Sequence, residues 1–301
     1  MTSPQPITPV IRAALWMSGA LASFMAMAIA GRQLSAELTT FQILFFRSLV
    51  GLVVVLVLLQ RSGWTLVRTR VFGTHLLRNV AHFGGQYGWF YGIAFIPLTE
   101  VFAIEFTVPI WTAILATVLL GERMNRLRFL AVALGFVGIL VILRPGMAVV
   151  SVPALAVLGG AFCYAISHVF TKRLSATESP LTILFYMTVI QLPIGLVPAL
   201  PHWGWPSAAL WPWVGIVAVT ALSAHYCLTR AFQLADATVV MPMDFLRLPL
   251  IAIVGFLFYG ETVKVWAFVG ALIVCAATWL NLKSASASRP ARAKADAQAV
   301  S

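Results

Sequence analysis

Residues 98–122 read LTEVFAIEFTVPIWTAILATVLLGE, and residues 237–261 read ATVVMPMDFLRLPLIAIVGFLFYGE. At an offset of 139 the two stretches share Thr99 with Thr238, Phe106 with Phe245, and Gly121-Glu122 with Gly260-Glu261. Earlier in the chain, Gly19 matches Gly159, Leu34-Ser35 matches Leu174-Ser175, and Ile43-Leu44-Phe45 matches Ile183-Leu184-Phe185 at an offset of 140. A nearly constant offset over several segments indicates an internal duplication.

The composition is that of a chain whose main solvent is lipid. Of the 301 residues, 61% are hydrophobic and 10% are charged, and the mean hydropathy is +0.95. Apolar runs of membrane length follow one another, and their lack of period-two alternation predicts helices. The expected fold class is all-α integral membrane, with spans near 12–31, 38–60, 73–96, 98–120, 126–144, 152–171, 181–200, 208–232, 237–259 and 262–281.

The duplication divides these ten spans into two repeats of five, at 12–146 and 147–283, between a polar segment 1–11 and a tail 284–301 predicted to be disordered. Because five is odd, the second repeat must enter the membrane from the opposite side. Inverted repeats of this kind can exchange conformations, which gives an inward-open and an outward-open state.

Basic residues set the expected orientation of the bundle. Cytoplasmic N- and C-termini place most of the 20 Lys and Arg residues on the inner side, which is the bias that cytoplasmic loops show. These inner residues are Arg12, Arg61, Arg68, Arg70, Arg123, Arg126, Arg128, Lys172, Arg173, Arg230, Lys283, Arg289, Arg292 and Lys294. The outer segments hold only Arg32, Arg144 and Lys264. We therefore expect a multi-pass protein of a bacterial-type inner membrane.

The ten-span count, the ILFFRSLVGLVVVL pattern of span two and the duplicated segments quoted above resemble the EamA type of the drug/metabolite transporter superfamily. The resemblance covers about residues 10–282. It implies a secondary transporter, with export of amino acids or related compounds as the first expectation. Uptake of a vitamin or nucleoside-like metabolite is the alternative.

Two carboxylates lie within predicted spans, and the offset of 139 superposes them. Glu105 in span four corresponds to Asp244 in span nine. A carboxylate in hydrocarbon costs several kcal/mol unless it meets a partner or water, so such residues often bind substrate or carry a coupling proton. The structural alternative is an ion pair, in which Glu105 meets Arg47 and Asp244 meets Arg247 three residues later.

The other candidate substrate or coupling residues are cationic or aromatic side chains within spans. Span three places Arg78, His82 and Gln86 on one helical face, which favours a cavity wall. Snorkelling to the headgroups or a structural hydrogen bond is the alternative for Arg78 and the histidines. The full set is Glu105, Asp244, Arg47, Arg78, His82, Tyr87, Tyr91, Trp111, His225, Arg247 and Trp16, with Pro109 and Pro249 as hinges.

Several classes of function are disfavoured by the sequence. The basic residues lie between apolar runs and not along one face, so a net charge of +11 does not predict nucleic-acid binding. Cys163, Cys227 and Cys275 have no metal-like spacing. We expect no metal, no cofactor and no catalysis. The expected substrate is amphipathic and zwitterionic or anionic, with protons as the suspected coupling ion and a monomer or homodimer as the assembly.

Overall fold

The chain forms a bundle of α-helices. The computed structural model describes residues 9–120, 126–143, 151–174, 177–234, 246–262, 264–277 and 279–280, and within these ranges every regular element is helical. The helices are α1 Pro9–Leu34, α2 Thr40–Ser62, α3 Phe72–Phe95, α4 Leu98–Glu105, α5 Val108–Leu120, α6 Arg126–Leu143, α7 Val152–Leu174, α8 Pro180–Ala199, α9 Trp211–Leu234, α10 Arg247–Tyr259 and α11 Val265–Ala277. Short 3-10 turns occur at Trp64–Val67, Leu200–His202 and Ala208–Leu210.

Membrane-length helices are present in both halves of the chain. Within the described residues, five stretches are long and apolar enough to cross a membrane, and they are Ile11–Leu34, Thr40–Ser62, Val152–Thr171, Pro180–His202 and Ala208–Leu228. Helix α3 has 24 residues but carries buried polar side chains, which lower its hydropathy. Each of the ten predicted spans contains a helix in the described ranges, and the fourth is divided into α4 and α5. The expectation of an all-α membrane fold is thus confirmed.

Equivalent helices of the two repeats begin with equivalent caps. Thr39 caps α2, where its side chain accepts a hydrogen bond from the Gln42 backbone N–H and the Gln42 side-chain oxygen accepts one from the Thr39 backbone N–H. Ser179, at an offset of 140, caps α8 by accepting from the Thr182 backbone N–H. These caps satisfy backbone donors that the first helical turn leaves without a partner. The duplication is therefore visible in local structure.

Helix packing follows a two-fold relation between the repeats. The most extensive packings join α1 to α9, α3 to α7 and α2 to α8. The duplication relates α1 to α7, α2 to α8 and α3 to α9. It therefore exchanges the α1–α9 packing with the α3–α7 packing and maps the α2–α8 packing onto itself. This is the symmetry that an inverted pair of five-helix repeats requires.

Glycines bring α3 and α7 into close contact. A Cβ atom added to Gly88 would collide with the backbone carbonyl oxygen of Ala156, and one added to Gly160 would lie 3.0 Å from the carbonyl oxygen of Gly85. A Cβ atom on Gly85 itself would lie 2.6 Å from the Tyr164 ring. Small residues in this crossing let the helix backbones approach, so the polar face of α3 is pressed against the second repeat.

The two ends of the bundle are tied by different contacts. At the α1–α2 end, where α1 ends and α2 begins, Arg32 forms a 3.1 Å ion pair with Glu261, and Lys264 forms one of 3.0 Å with Glu100. At the α2–α3 end, Thr69 donates a hydrogen bond to Glu178, and Tyr186 donates one to the Val67 carbonyl oxygen. Both sets connect the first repeat to the second.

Candidate substrate site

Two arginines lie inside the bundle and have no carboxylate partner among the described residues. Arg47 on α2 is 4% exposed and Arg78 on α3 is 3% exposed. Arg47 Nη1 lies 3.5 Å from Gln191 Oε1, and its Nε has no hydrogen-bond partner in the described part of the chain. Arg78 donates to Thr171 Oγ1 at 3.1 Å and to Asn79 Oδ1 at 2.7 Å. Their contacts are thus with neutral groups.

Gln191 on α8 connects the two guanidinium groups through hydrogen bonds between uncharged amide groups. Its Nε2 donates to His82 Nδ1 at 2.9 Å and lies 3.4 Å from Asn79 Oδ1, the atom that accepts from Arg78. Gln191 and Asn79 are both fully buried. Because α8 belongs to the second repeat and α3 to the first, this amide holds the polar face of one repeat on the other.

Histidines and a tyrosine adjoin these buried side chains: His82 is buried, Tyr164 and His225 are half-buried, and His168 is exposed. The His82 ring lies 5.1 Å from the His225 ring and 5.6 Å from the Tyr164 ring, and Tyr164 stacks on His168 at 6.4 Å. Charge interactions connect His82 with both Arg47 and Arg78, and connect Arg47 with Arg78. We call these residues the basic cluster, which consists of Arg47, Arg78, Asn79, His82, Tyr164, His168, Thr171, Gln191 and His225.

Glu105 lies at the C-terminus of α4 and pairs with Arg247 at the start of α10. Their closest atoms are 3.3 Å apart, and the other Glu105 oxygen accepts a 2.8 Å hydrogen bond from the Trp89 indole N–H. Three phenyl rings surround the Arg247 guanidinium at 4.7–5.5 Å, namely those of Phe24, Phe102 and Phe106. Buried charge here is compensated by an ion pair and by aromatic faces.

The structure corrects the expected pairing of Glu105. The structural alternative paired Glu105 with Arg47, but Arg47 contacts Gln191 and Glu105 contacts Arg247. The prediction failed because depth within the membrane does not determine which helices are neighbours, and α4 packs on α10. Asp244, the predicted partner of Arg247, lies outside the described residues.

The predicted aromatic residues occupy three regions apart from the ion pair. Tyr87 and Tyr91 stack at 6.0 Å, and Phe41 packs on Tyr87 at 4.6 Å, which forms an aromatic strip between α2 and α3. Trp111 on α5 packs against α6 and α7 and donates to Thr107 Oγ1. Trp16 packs on Tyr226 of α9, with the Arg230 guanidinium over its ring.

The two hinge candidates lie at helix starts. Helix α4 ends at Glu105, and α5 begins at Val108, so Pro109 falls in the first turn of α5. Helix α10 begins at Arg247, which places Pro249 in its first turn. Proline is tolerated there because the first-turn N–H groups need no partner within the helix. The fourth span is therefore broken just before Pro109 and not bent through it.

Gln191, Asn79 and Thr171 were not predicted as site residues. They are neutral, so the search for charge within spans did not identify them. A signal was available for Gln191, because the sequence QLPIG places an amide in the middle of the seventh span, where an unpaired polar group is costly. Among the described residues, no group of three His, Cys, Asp or Glu side chains could hold a metal ion.

Comparisons with known proteins agree with this architecture. The EamA-like transporter family matches residues 11–144 and 152–283. The riboflavin transporter of Vibrio cholerae is 30% identical over 88% of this chain and 90% of its own length. The S-adenosylmethionine uptake transporter of Rickettsia prowazekii is 27% identical over 83% and 85%, and the pseudopaline exporter CntI of Pseudomonas aeruginosa is 29% identical over 82% and 87%.

A solved crystal structure shares the fold, with a TM-score of 0.63 at 14% identity over 89% of this chain and 95% of that one. The two matched segments together span nearly all of the chain, and each corresponds to one five-helix repeat of the bundle. The chain belongs to the EamA-like transporter family.

Proposed function

We propose that this protein is a secondary carrier that moves a small amphipathic organic metabolite across a bacterial inner membrane by alternating access. The observation that carries the proposal is the basic cluster, a polar group with a buried centre that is built from α2 and α3 of one repeat and α7, α8 and α9 of the other. A site divided between two inverted repeats can be opened to either side when the repeats rock against each other.

Uptake is the direction that we propose. Relatives from two groups are named as an S-adenosylmethionine uptake transporter and a riboflavin transporter. Their names favour the uptake alternative over export of amino acids. Export remains the second candidate, because one relative is named as a pseudopaline exporter. The proposed substrate is a vitamin-like or nucleoside-like metabolite, whose ring system would contact the aromatic strip.

The proposed orientation places both chain ends in the cytoplasm. The α2–α3 end then faces the cytoplasm, and the α1–α2 end faces outward. The support is the distribution of Lys and Arg in the sequence, since most of them fall on the cytoplasmic side in this orientation.

Flux through purified protein tests the function. We expect liposomes that contain the protein to accumulate labelled riboflavin or S-adenosylmethionine faster than empty liposomes, whereas a panel of labelled amino acids covers the export alternative. Chromatography of the recovered label checks for chemical conversion. Conversion without net movement would support an enzyme and contradict the carrier.

Coupling to protons is proposed for Glu105 and Asp244. Glu105 adjoins Arg247, and loss or gain of its proton would change the strength of that ion pair. Imposing a pH gradient on the same liposomes measures the coupling. We expect Glu105→Gln or Asp244→Asn to remove the response to the gradient. If both variants keep the wild-type response, proton coupling through these groups is wrong, and facilitated exchange accounts for the flux.

A further inference from the structure

We propose that Arg47 and Arg78 form a subsite for the carboxylate or phosphate group of the transported metabolite. The proposal rests on the proposed function and names the substrate chemistry that the carrier would select. It starts from the observation that other cationic side chains of the bundle pair with carboxylates, whereas these two contact uncharged groups. Arg32, Arg247 and Lys264 each meet a carboxylate, whereas Arg47 and Arg78 contact only neutral groups among the described residues.

Burial makes this contrast energetically important. Both guanidinium groups are less than 5% exposed, and they repel each other. A buried charge is costly unless an opposite charge or several hydrogen bonds compensate for it. An anion placed between the two groups would convert their repulsion into two attractions, so the cluster as built favours an anionic ligand.

The available donors fit a carboxylate or phosphate. Arg47 has one long contact through Nη1, and its Nε is without a partner in the described ranges. A guanidinium presents its N–H groups in a planar fork that matches the oxygen spacing of both anions. The uncharged side chains of Asn79 and Gln191 connect Arg47 to Arg78 through hydrogen bonds. These bonds hold the two cations near each other without neutralising either one.

The subsite also joins the two repeats. Arg47 and Arg78 lie on α2 and α3, while their partners Gln191 and Thr171 lie on α8 and α7. An anion bound here would contact groups whose separation changes when the repeats rock. Its affinity would therefore differ between the two conformations, which is what a transported substrate needs in order to shift their populations.

The first measurement uses the purified protein in phosphatidylcholine nanodiscs and follows thermal unfolding by tryptophan fluorescence. We expect inorganic phosphate and acetate to raise the apparent Tm relative to chloride at equal ionic strength. In Arg47→Gln and Arg78→Gln this rise should be lost. Arg68→Gln, which alters an exposed arginine, should keep it. No rise with either anion, or an equal rise in all variants, would overturn the subsite.

The second measurement compares ligands that differ only in the charged group. The pairs are riboflavin 5′-phosphate with riboflavin, and S-adenosylmethionine with its decarboxylated form. In each pair we call the member that carries the phosphate or carboxylate group the anionic member, whatever its net charge. For a transported ring system we expect this member to bind roughly 10- to 100-fold more tightly, which is the range for hydrogen bonds to charged groups. Arg47→Gln and Arg78→Gln should reduce this ratio to about threefold or less, and Arg47→Lys should restore part of it, since it keeps the charge but not the fork.

The outcomes separate the two proposals. If a ring system is transported but its two members bind equally, the subsite is wrong and the carrier stands. If no metabolite crosses the liposome membrane, the carrier itself fails. If replacing phosphatidylcholine with phosphatidylglycerol abolishes the preference for the anionic member, the anion is a lipid headgroup and the substrate subsite is overturned.

Discussion

At the level of single residues, intramembrane charge pointed to side chains that the structure brings together, but not to their partners. Arg47, Arg78, His82 and His225 were singled out because charge or a titratable ring in hydrocarbon needs compensation. The structure brings all four into the basic cluster. Their neighbours Gln191 and Asn79 are uncharged, so a search for charge within spans does not find them. Gln191 also lies more than 100 residues from Arg47 and His82 in the chain, so no local pattern connects it to them.

Glu105 and Arg247 should behave as a coupled pair. Replacing one member leaves the other charge buried and uncompensated, which typically costs about 3–5 kcal/mol. We therefore expect Glu105→Gln and Arg247→Gln each to lower the apparent Tm. The double variant should recover part of the loss, because no isolated charge remains. Tryptophan fluorescence suits this measurement, since Trp89 donates its indole N–H to Glu105.

Glu37→Gln provides the control for these variants. Glu37 is exposed and accepts hydrogen bonds from Ser207 at the bundle surface, so neutralising it should change the apparent Tm little. Losses that simply add in the Glu105 and Arg247 double variant would show that the two side chains act independently, contrary to the ion pair in the structure.

At the level of elements, the helices were predicted well and the short breaks less well. Each apolar run that was predicted as a span contains a helix in the described ranges, because a helix satisfies its own backbone hydrogen bonds in lipid. Gly260 ends α10 with φ of 61°, a left-handed conformation that favours glycine. The sequence did not reveal that Glu261 reaches α4 of the other repeat, where its carboxylate accepts a 2.8 Å hydrogen bond from the Leu98 backbone N–H.

Helix α4 should depend on this contact for its stability at the α1–α2 end. Pro97 precedes the helix and offers no side-chain cap, so Glu261 supplies the acceptor and also pairs with Arg32. Removing a cap typically costs about 1 kcal/mol. We expect Glu261→Ala to speed amide hydrogen exchange in residues 98–101 roughly fivefold, the factor that corresponds to this energy.

Glu178→Ala is the matched control for that variant. Glu178 accepts a hydrogen bond from Thr69 at the opposite, α2–α3 end, so its loss should leave exchange in residues 98–101 unchanged. If amide hydrogen exchange in residues 98–101 of Glu261→Ala keeps the wild-type rate, the contact with the second repeat does not stabilise the first turn of α4.

At the level of the whole molecule, the repeat in the sequence predicted the symmetry but not the packing pairs. A constant offset implies two similar units, and five spans in each imply opposite threading. It does not tell which helices touch. That information comes from side-chain complementarity, such as the glycines of α3 facing the backbone of α7. The resulting pairs, α1 with α9 and α3 with α7, are exchanged by one two-fold axis.

The opposite threading of the repeats supports the divided site and the alternating access that we propose. Glu37 and Thr177 are separated by the repeat offset of 140, and both are exposed in short connections between helices. In a variant whose native Cys163, Cys227 and Cys275 are replaced by alanine, single cysteines at these two positions can be labelled with a membrane-impermeant maleimide. In intact cells we expect Glu37→Cys to react and Thr177→Cys to react only after the membrane is opened. Labelling of both positions from the same side would contradict the inverted repeat.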